Sequence, residues 1–119
     1  MTDKTVAGAE DILSRKTLPL TEVEAFGATV FIRHMYADER SMMEQSYMTA
    51  KPSDDPGGFR GRVLVLTLVD ADGVRILEDN QAGDLIRNNS ADEIERLFEV
   101  ACELNGLRQT DVETLEGES

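Results

Sequence analysis

Apolar and polar positions along the chain follow two rhythms. From Thr21 to Met35 the period is two. Val23, Ala25, Thr29, Phe31 and Arg33 alternate with Glu22, Glu24, Val30, Ile32 and His34 on either side of Phe26-Gly27. Alternation with β-branched residues around a glycine predicts a small β hairpin. Elsewhere the period is helical. Ile94, Leu97, Phe98, Ala101 and Leu104 form a core stripe over residues 90–105. That helix opens on the capping box Ser90-Ala91-Asp92-Glu93, in which the serine hydroxyl accepts from the Glu93 amide and the Glu93 carboxylate reaches back. It closes on Asn105-Gly106, a left-handed cap with Leu107 as its apolar partner.

Weaker signals fill the rest. Gly8 to Arg15 reads as a short helix with Ile12 and Leu13 as its contacts, stopped before Pro19. Ala37 to Ala50 reads as a helix with Tyr36, Met43 and Tyr47 on one face. The stretch KPSDDPGG at 51–58 breaks periodicity and predicts a mobile loop. Asp79 to Arg87 is a second short helix, and Thr110 caps a last one through Leu115. One segment resists assignment. RVLVLTLV at 62–69 is apolar without a period. Its β-branched content favours strand, its length also fits a buried helix, and periodicity does not separate the two.

Composition narrows the function classes. The 119 residues suit one domain, expected over 8–116, with flexible termini at 1–7 and 117–119. Only 5% of residues are aromatic and Trp is absent, so the core must come from Leu, Val, Ile, Ala and Met. The net charge is −12, with −4 on residues 1–59 and −8 on residues 60–119. Such an excess argues against nucleic-acid binding and an anionic membrane surface, and favours basic protein partners. There is no apolar run of transmembrane length and no basic-then-apolar leader, so a cytoplasmic protein is expected.

Candidate chemistry is sparse. Asp70-Ala71-Asp72-Gly73 resembles part of a calcium loop, but no register supplies both the ligand positions and the glycine, so a turn is the reading. His34 is the sole histidine and no cysteine lies near it. Cys102, the sole cysteine, sits in a helical apolar pattern as a buried thiol. No phosphate loop, nucleophile motif, metal set or cofactor box appears, so a non-enzymatic protein is expected. Met35, Met42, Met43 and Met48 cluster within 14 residues, bracketed by two tyrosines. Methionine adapts to varied partners, and it equally fills a core poor in aromatics.

Order and pattern carry a resemblance. Leu68-Val69-Asp70, Asp72-Gly73, Leu97-Phe98, Ala101, Leu104, Gly106 and Leu107 follow a β pair and a helix opening Ala37-Asp38-Glu39-Arg40. Over residues 10–116 this is similar to the tail assembly chaperones of long-tailed bacteriophages. One departure is Tyr36, which stands where that family usually has a capping Ser or Thr. The resemblance implies an α+β fold, mainly α-helical with a small N-terminal β hairpin. It also implies that 60–69 is helix ending near Asp70, with Asp72-Gly73 as the turn and Val74 to Leu77 extended. The implied function is to cover the tape-measure protein and help recruit tail-tube subunits in the host cytoplasm, leaving before the virion is complete. Self-association through lateral contacts on a filament is expected too. The partner face is assigned to Tyr36, Met42, Met43, Tyr47 and Met48. Two other readings stand beside this one. An acidic DNA mimic would use the acids at 92, 93, 95, 99 and 103, and a head–tail joining protein would stay in the virion.

Overall fold

The apolar run at 62–69 does not stay in one conformation. It is helix for most of its length and strand at its end. The computed structural model describes residues 6–49 and 57–107, and the side chains of 46–49 are outside that description. In chain order the elements are α1 (Ala9–Leu13), β1 (Leu20–Ala25), β2 (Ala28–Arg33), α2 (Ala37–Thr49), α3 (Gly58–Thr67), β3 (Leu68–Val69), a 3-10 turn (Asp79–Gln81), α4 (Ala82–Arg87) and α5 (Ala91–Asn105). The fold is α+β and mainly helical, with an antiparallel sheet of order β1-β2-β3. The predicted last helix, at 110–115, and residues 51–56 of the predicted 51–58 loop lie outside the described residues; Gly57 and Gly58 open α3.

The hairpin forms as predicted, with Ala25 paired to Ala28 across Phe26-Gly27. Both turn residues have positive φ, 57° at Phe26 and 71° at Gly27, so the two-residue turn has the twist the strands require. A phenylalanine there is strained, because its Cβ crowds the following carbonyl. Two contacts compensate. The ring packs on the core, and the Phe26 N–H donates to Glu93 Oε2 at 2.7 Å. The Glu93 carboxylate therefore crosses to the hairpin instead of closing the capping box, while its amide keeps the expected bond to Ser90 Oγ at 3.2 Å.

From Val63 to Thr67 α3 is buried on every side, with Val63, Leu64 and Val65 fully enclosed. α4 and α5 cover one part of it, and β2 and β3 continue the same core through Ile32 and Leu68. Close approach at its start depends on missing side chains. A Cβ on Gly57 would lie 2.5 Å from the Ala82 Cβ, and one on Gly61 would lie 3.1 Å from Ile86 Cγ1. The helix ends where a last-turn carbonyl finds another donor: Arg75 Nε donates to the Val65 carbonyl at 2.8 Å, while Thr67 Oγ1 bonds back to the Val63 carbonyl one turn earlier, also at 2.8 Å. Leu68 then turns extended and pairs with Ile32. The reading of 60–69 as helix thus holds through Thr67, and the final two residues are strand.

α5 matches its predicted stripe. Ile94, Leu97, Phe98 and Ala101 are buried and Leu104 is half-buried. Gly106 caps it in the left-handed region, and the Leu107 N–H donates to the Cys102 carbonyl at 2.9 Å. Cys102 is only half-buried, so its thiol is less enclosed than expected. α1 departs further. Ile12 and Leu13, expected as its packing contacts, are 70% and 82% exposed, and α1 buries no residue.

The crossing carboxylate generates a prediction. Glu93→Ala should lower unfolding free energy by about 1–2 kcal/mol, because it removes a charge-assisted bond and leaves a strained turn without its anchor. Glu99→Ala, on the exposed side of the same helix, should stay within about 0.5 kcal/mol of wild type. Urea titrations of the two variants compare these values directly.

Candidate functional site

The predicted partner face begins at the junction of β2 and α2. Arg33 ends β2 with its side chain 5% exposed, which a guanidinium tolerates only when paired. Its Nη1 and Nη2 donate to Glu39 Oε1 and Oε2 at 2.8 and 2.9 Å, and Nη1 also donates to the His34 carbonyl at 3.0 Å. Glu39 is the third residue of α2, and its Oε1 also accepts the Tyr36 N–H at 2.9 Å. This is half of a capping box, so the missing Ser or Thr at Tyr36 is partly offset by the glutamate. Burial pushes the Glu39 carboxyl up, but the Arg33 hydrogen bonds, the Tyr36 N–H and the positive field of Arg33 and Arg75 outweigh it. The carboxyl sits below the usual glutamate range.

Tyr36 is not a free anchor. Its ring lies 3.6 Å below the Arg15 guanidinium and 5.2 Å from that of Arg33, and its hydroxyl donates to the Lys16 carbonyl at 2.7 Å. The tyrosine ties the α1–β1 linker to the start of α2. Asn105, at the far end of α5, makes the opposite tie. Its Oδ1 accepts the Met35 N–H at 2.6 Å, and its backbone carbonyl accepts from Arg40 Nη1 at 2.8 Å.

The five residues assigned to the partner face therefore separate. Met42 is 70% exposed. Met43 is a correction to the expected face: it is 3% exposed and belongs to the core with Met35. Residues three and four apart share a helix face, and the Met43 face looks inward here. Tyr36 is half-buried beside the Arg15 and Arg33 guanidiniums. The side chains of Tyr47 and Met48 lie outside the described residues.

The other candidates resolve by geometry. Asp70 Oδ1 accepts from the Asp72 and Val74 amides at 2.9 and 3.0 Å, so this carboxylate closes the turn. Among the described residues no group of three His, Cys, Asp or Glu side chains is placed to hold a metal ion. Of the five acids considered for DNA mimicry, Glu93 is bound to the hairpin and Glu95 pairs with Arg60 at 2.8 Å. Asp92, Glu99 and Glu103 remain exposed. No helix among the described residues is long and apolar enough to cross a membrane.

Exposed apolar side chains missed by the sequence reading are Val74 and Ile76, at 60% and 50%. The alternation of Val74, Arg75, Ile76 and Leu77 was a usable signal for an edge segment. Comparison of the chain with protein-family models, curated proteins and solved structures finds no match.

The Arg33–Glu39 pair makes folding depend on pH. Glu39 gives up its proton more readily in the folded chain than in the unfolded one. Its contribution is fully present above the unfolded-state value and is lost as pH falls through the lower folded-state value. Glu39→Gln should therefore be less stable than wild type at pH 7, with the gap narrowing as the solution is acidified toward about pH 3. Urea unfolding of both proteins across that range measures the gap, and a gap independent of pH would show that the charge is not the source.

Proposed function

We propose that this chain is a non-enzymatic chaperone of phage tail assembly. It covers the tape-measure protein in the host cytoplasm, helps bring tail-tube subunits to it, and leaves before the virion is complete. The observation that carries the reading is the order of elements. A hairpin, a helix opening Ala37-Asp38-Glu39-Arg40, a buried helix running into the Asp70–Gly73 turn, a short helix and a long capped helix follow one another as the resemblance implies. Two further features support it. Met42 stands exposed on α2, with a flexible thioether suited to imperfectly matched apolar segments. The charge of −12 keeps a crowded coat soluble and favours weak docking to basic surfaces.

An acidic DNA mimic is the second reading, and the three exposed acids of α5 favour it. Asp92, Glu99 and Glu103 lie on one side of the helix, separated by about 10 and about 6 Å along its axis. Two of the five acids needed for a longer array are committed to the fold, which weakens it.

A tagged pull-down from cells producing the whole phage separates these readings. Tape-measure and tail-tube proteins should co-purify, and the chain should be missing from purified virions. Its presence in finished particles would make it a structural joining protein instead. Capture of a DNA-binding enzyme that is lost between about 50 and about 200 mM salt would favour the mimic. Met42→Asp should cut recovery of tape-measure protein roughly tenfold without changing the fold. Met43→Ser should lower stability by about 2–5 kcal/mol, as loss of a core side chain does.

A further inference from the structure

The sheet has two edges, and they are treated differently. β1 is closed off. The Glu24 carbonyl accepts from Arg96 Nη2 at 2.6 Å, Glu93 takes the Phe26 N–H, and Glu22 and Glu24 line the strand with charge. Charged side chains and covering groups are the usual means of blocking an edge.

Among the described residues the other edge is open. Beyond β3 the chain turns back at Asp70–Gly73, and Arg75 bridges Val69 in antiparallel register. The Asp70 N–H donates to the Val74 carbonyl at 2.9 Å, and the Ile76 N–H donates to the Leu68 carbonyl at 3.3 Å. The inward groups of this segment are thus those of Val74 and Ile76, and the Arg75 N–H and carbonyl face away from the sheet. Among the described residues these two Arg75 groups have no hydrogen-bond partner. The Arg75 side chain does not guard the edge, because Val65 and Asp79 hold it down. Val74 and Ile76, both β-branched, are left 60% and 50% exposed beside the open backbone. Exposed Asp70 and Asp72 lie at one end of the segment, and exposed Glu78 and Asp79 at the other.

We infer that segment 74–77 is a docking edge for an extended stretch of a protein partner, apolar at its centre and basic at its ends, which adds to the sheet as a further strand. Main-chain bonds from Arg75 hold the stretch, Val74 and Ile76 contact its side chains, and the acidic residues at both ends select Lys or Arg. Charge sets this occupant apart from a second copy. Antiparallel pairing of two copies about Arg75 brings one copy's Asp72 opposite the other's Glu78, where like charges repel. The inference does not depend on the tail-assembly reading, which invokes the α2 face.

The test uses the full chain and a synthetic peptide of alternating Val and Thr with two lysines at each end. Binding should slow amide hydrogen exchange at Arg75 by about tenfold or more, with no comparable change at Glu22 or Glu24. Ile76→Lys, at an exposed position, should weaken binding by about tenfold while the circular dichroism spectrum stays that of wild type. A peptide with glutamates in place of the lysines should bind at least about tenfold more weakly. Slowed exchange only on β1, equal binding of a backbone N-methylated peptide, or no effect of Ile76→Lys would overturn the inference. So would a peptide-free dimer, seen by sedimentation equilibrium, that Ile76→Lys dissociates.

Discussion

The structure depends on one bond to a backbone carbonyl, that of Arg75 to Val65. The run Val63–Val69 is apolar but for Thr67, and its hydropathy does not mark where a helix should give way to a strand. A buried helix end exposes carbonyls that must be satisfied. Arg75 reaches back across the Asp70–Gly73 turn to supply a donor for the Val65 carbonyl. The chain can then leave the helix inside the core and enter the sheet at Leu68 without a polar loop between them. The same guanidinium is held by Asp79, so one side chain joins the end of α3, the turn and the start of the following 3-10 turn.

α5 completes what α3 begins. Its apolar stripe closes the core, and its polar ends fasten the elements on the far side. Glu93 in its first turn holds the hairpin tip, and Asn105 in its last turn holds the start of α2 through Met35 and Arg40. These anchors lie roughly 18 Å apart along the helix axis. The helix thus braces the sheet end to end. Arg33 and Glu39 lock the same junction from the sheet side, so α2 is fixed at its base by three separate ties.

Legibility in the sequence followed the physics of each segment. α5 could be read almost completely, since its stripe, Ser90 and Gly106 are all local signals. The hairpin could be read from alternation, but Phe26 in a left-handed position could not, because the group that satisfies it is 67 residues away. Glu93 shows the limit of a local rule. The spacing from Ser90 identified a capping box, and a remote N–H competed successfully for the same carboxylate. Met43 shows another limit. Periodicity groups Tyr36, Met43 and Tyr47 on one face, but which way that face looks is decided by what packs against it. The apolar run left helix and strand open, and both turned out to be present.

The acidic composition looks uniform in the sequence and divides in three dimensions. Glu39, Asp79, Glu93 and Glu95 are spent on guanidinium or backbone partners: Glu93 and Glu95 tie together elements distant in the chain, and Glu39 and Asp79 fasten neighbouring ones. Glu22 and Glu24 stand along β1, whose end is already covered by α5. Asp70 and Asp72 stand beside a segment whose outward backbone no described residue covers and whose exposed apolar side chains are Val74 and Ile76. The same residue type therefore does opposite work at the two edges. On β1 it adds charge to an edge that needs no further strand. At 74–77 it frames an apolar, hydrogen-bonding surface and leaves its centre open. Surface charge of one sign need not be a featureless coat, because its effect is set by the backbone groups it surrounds.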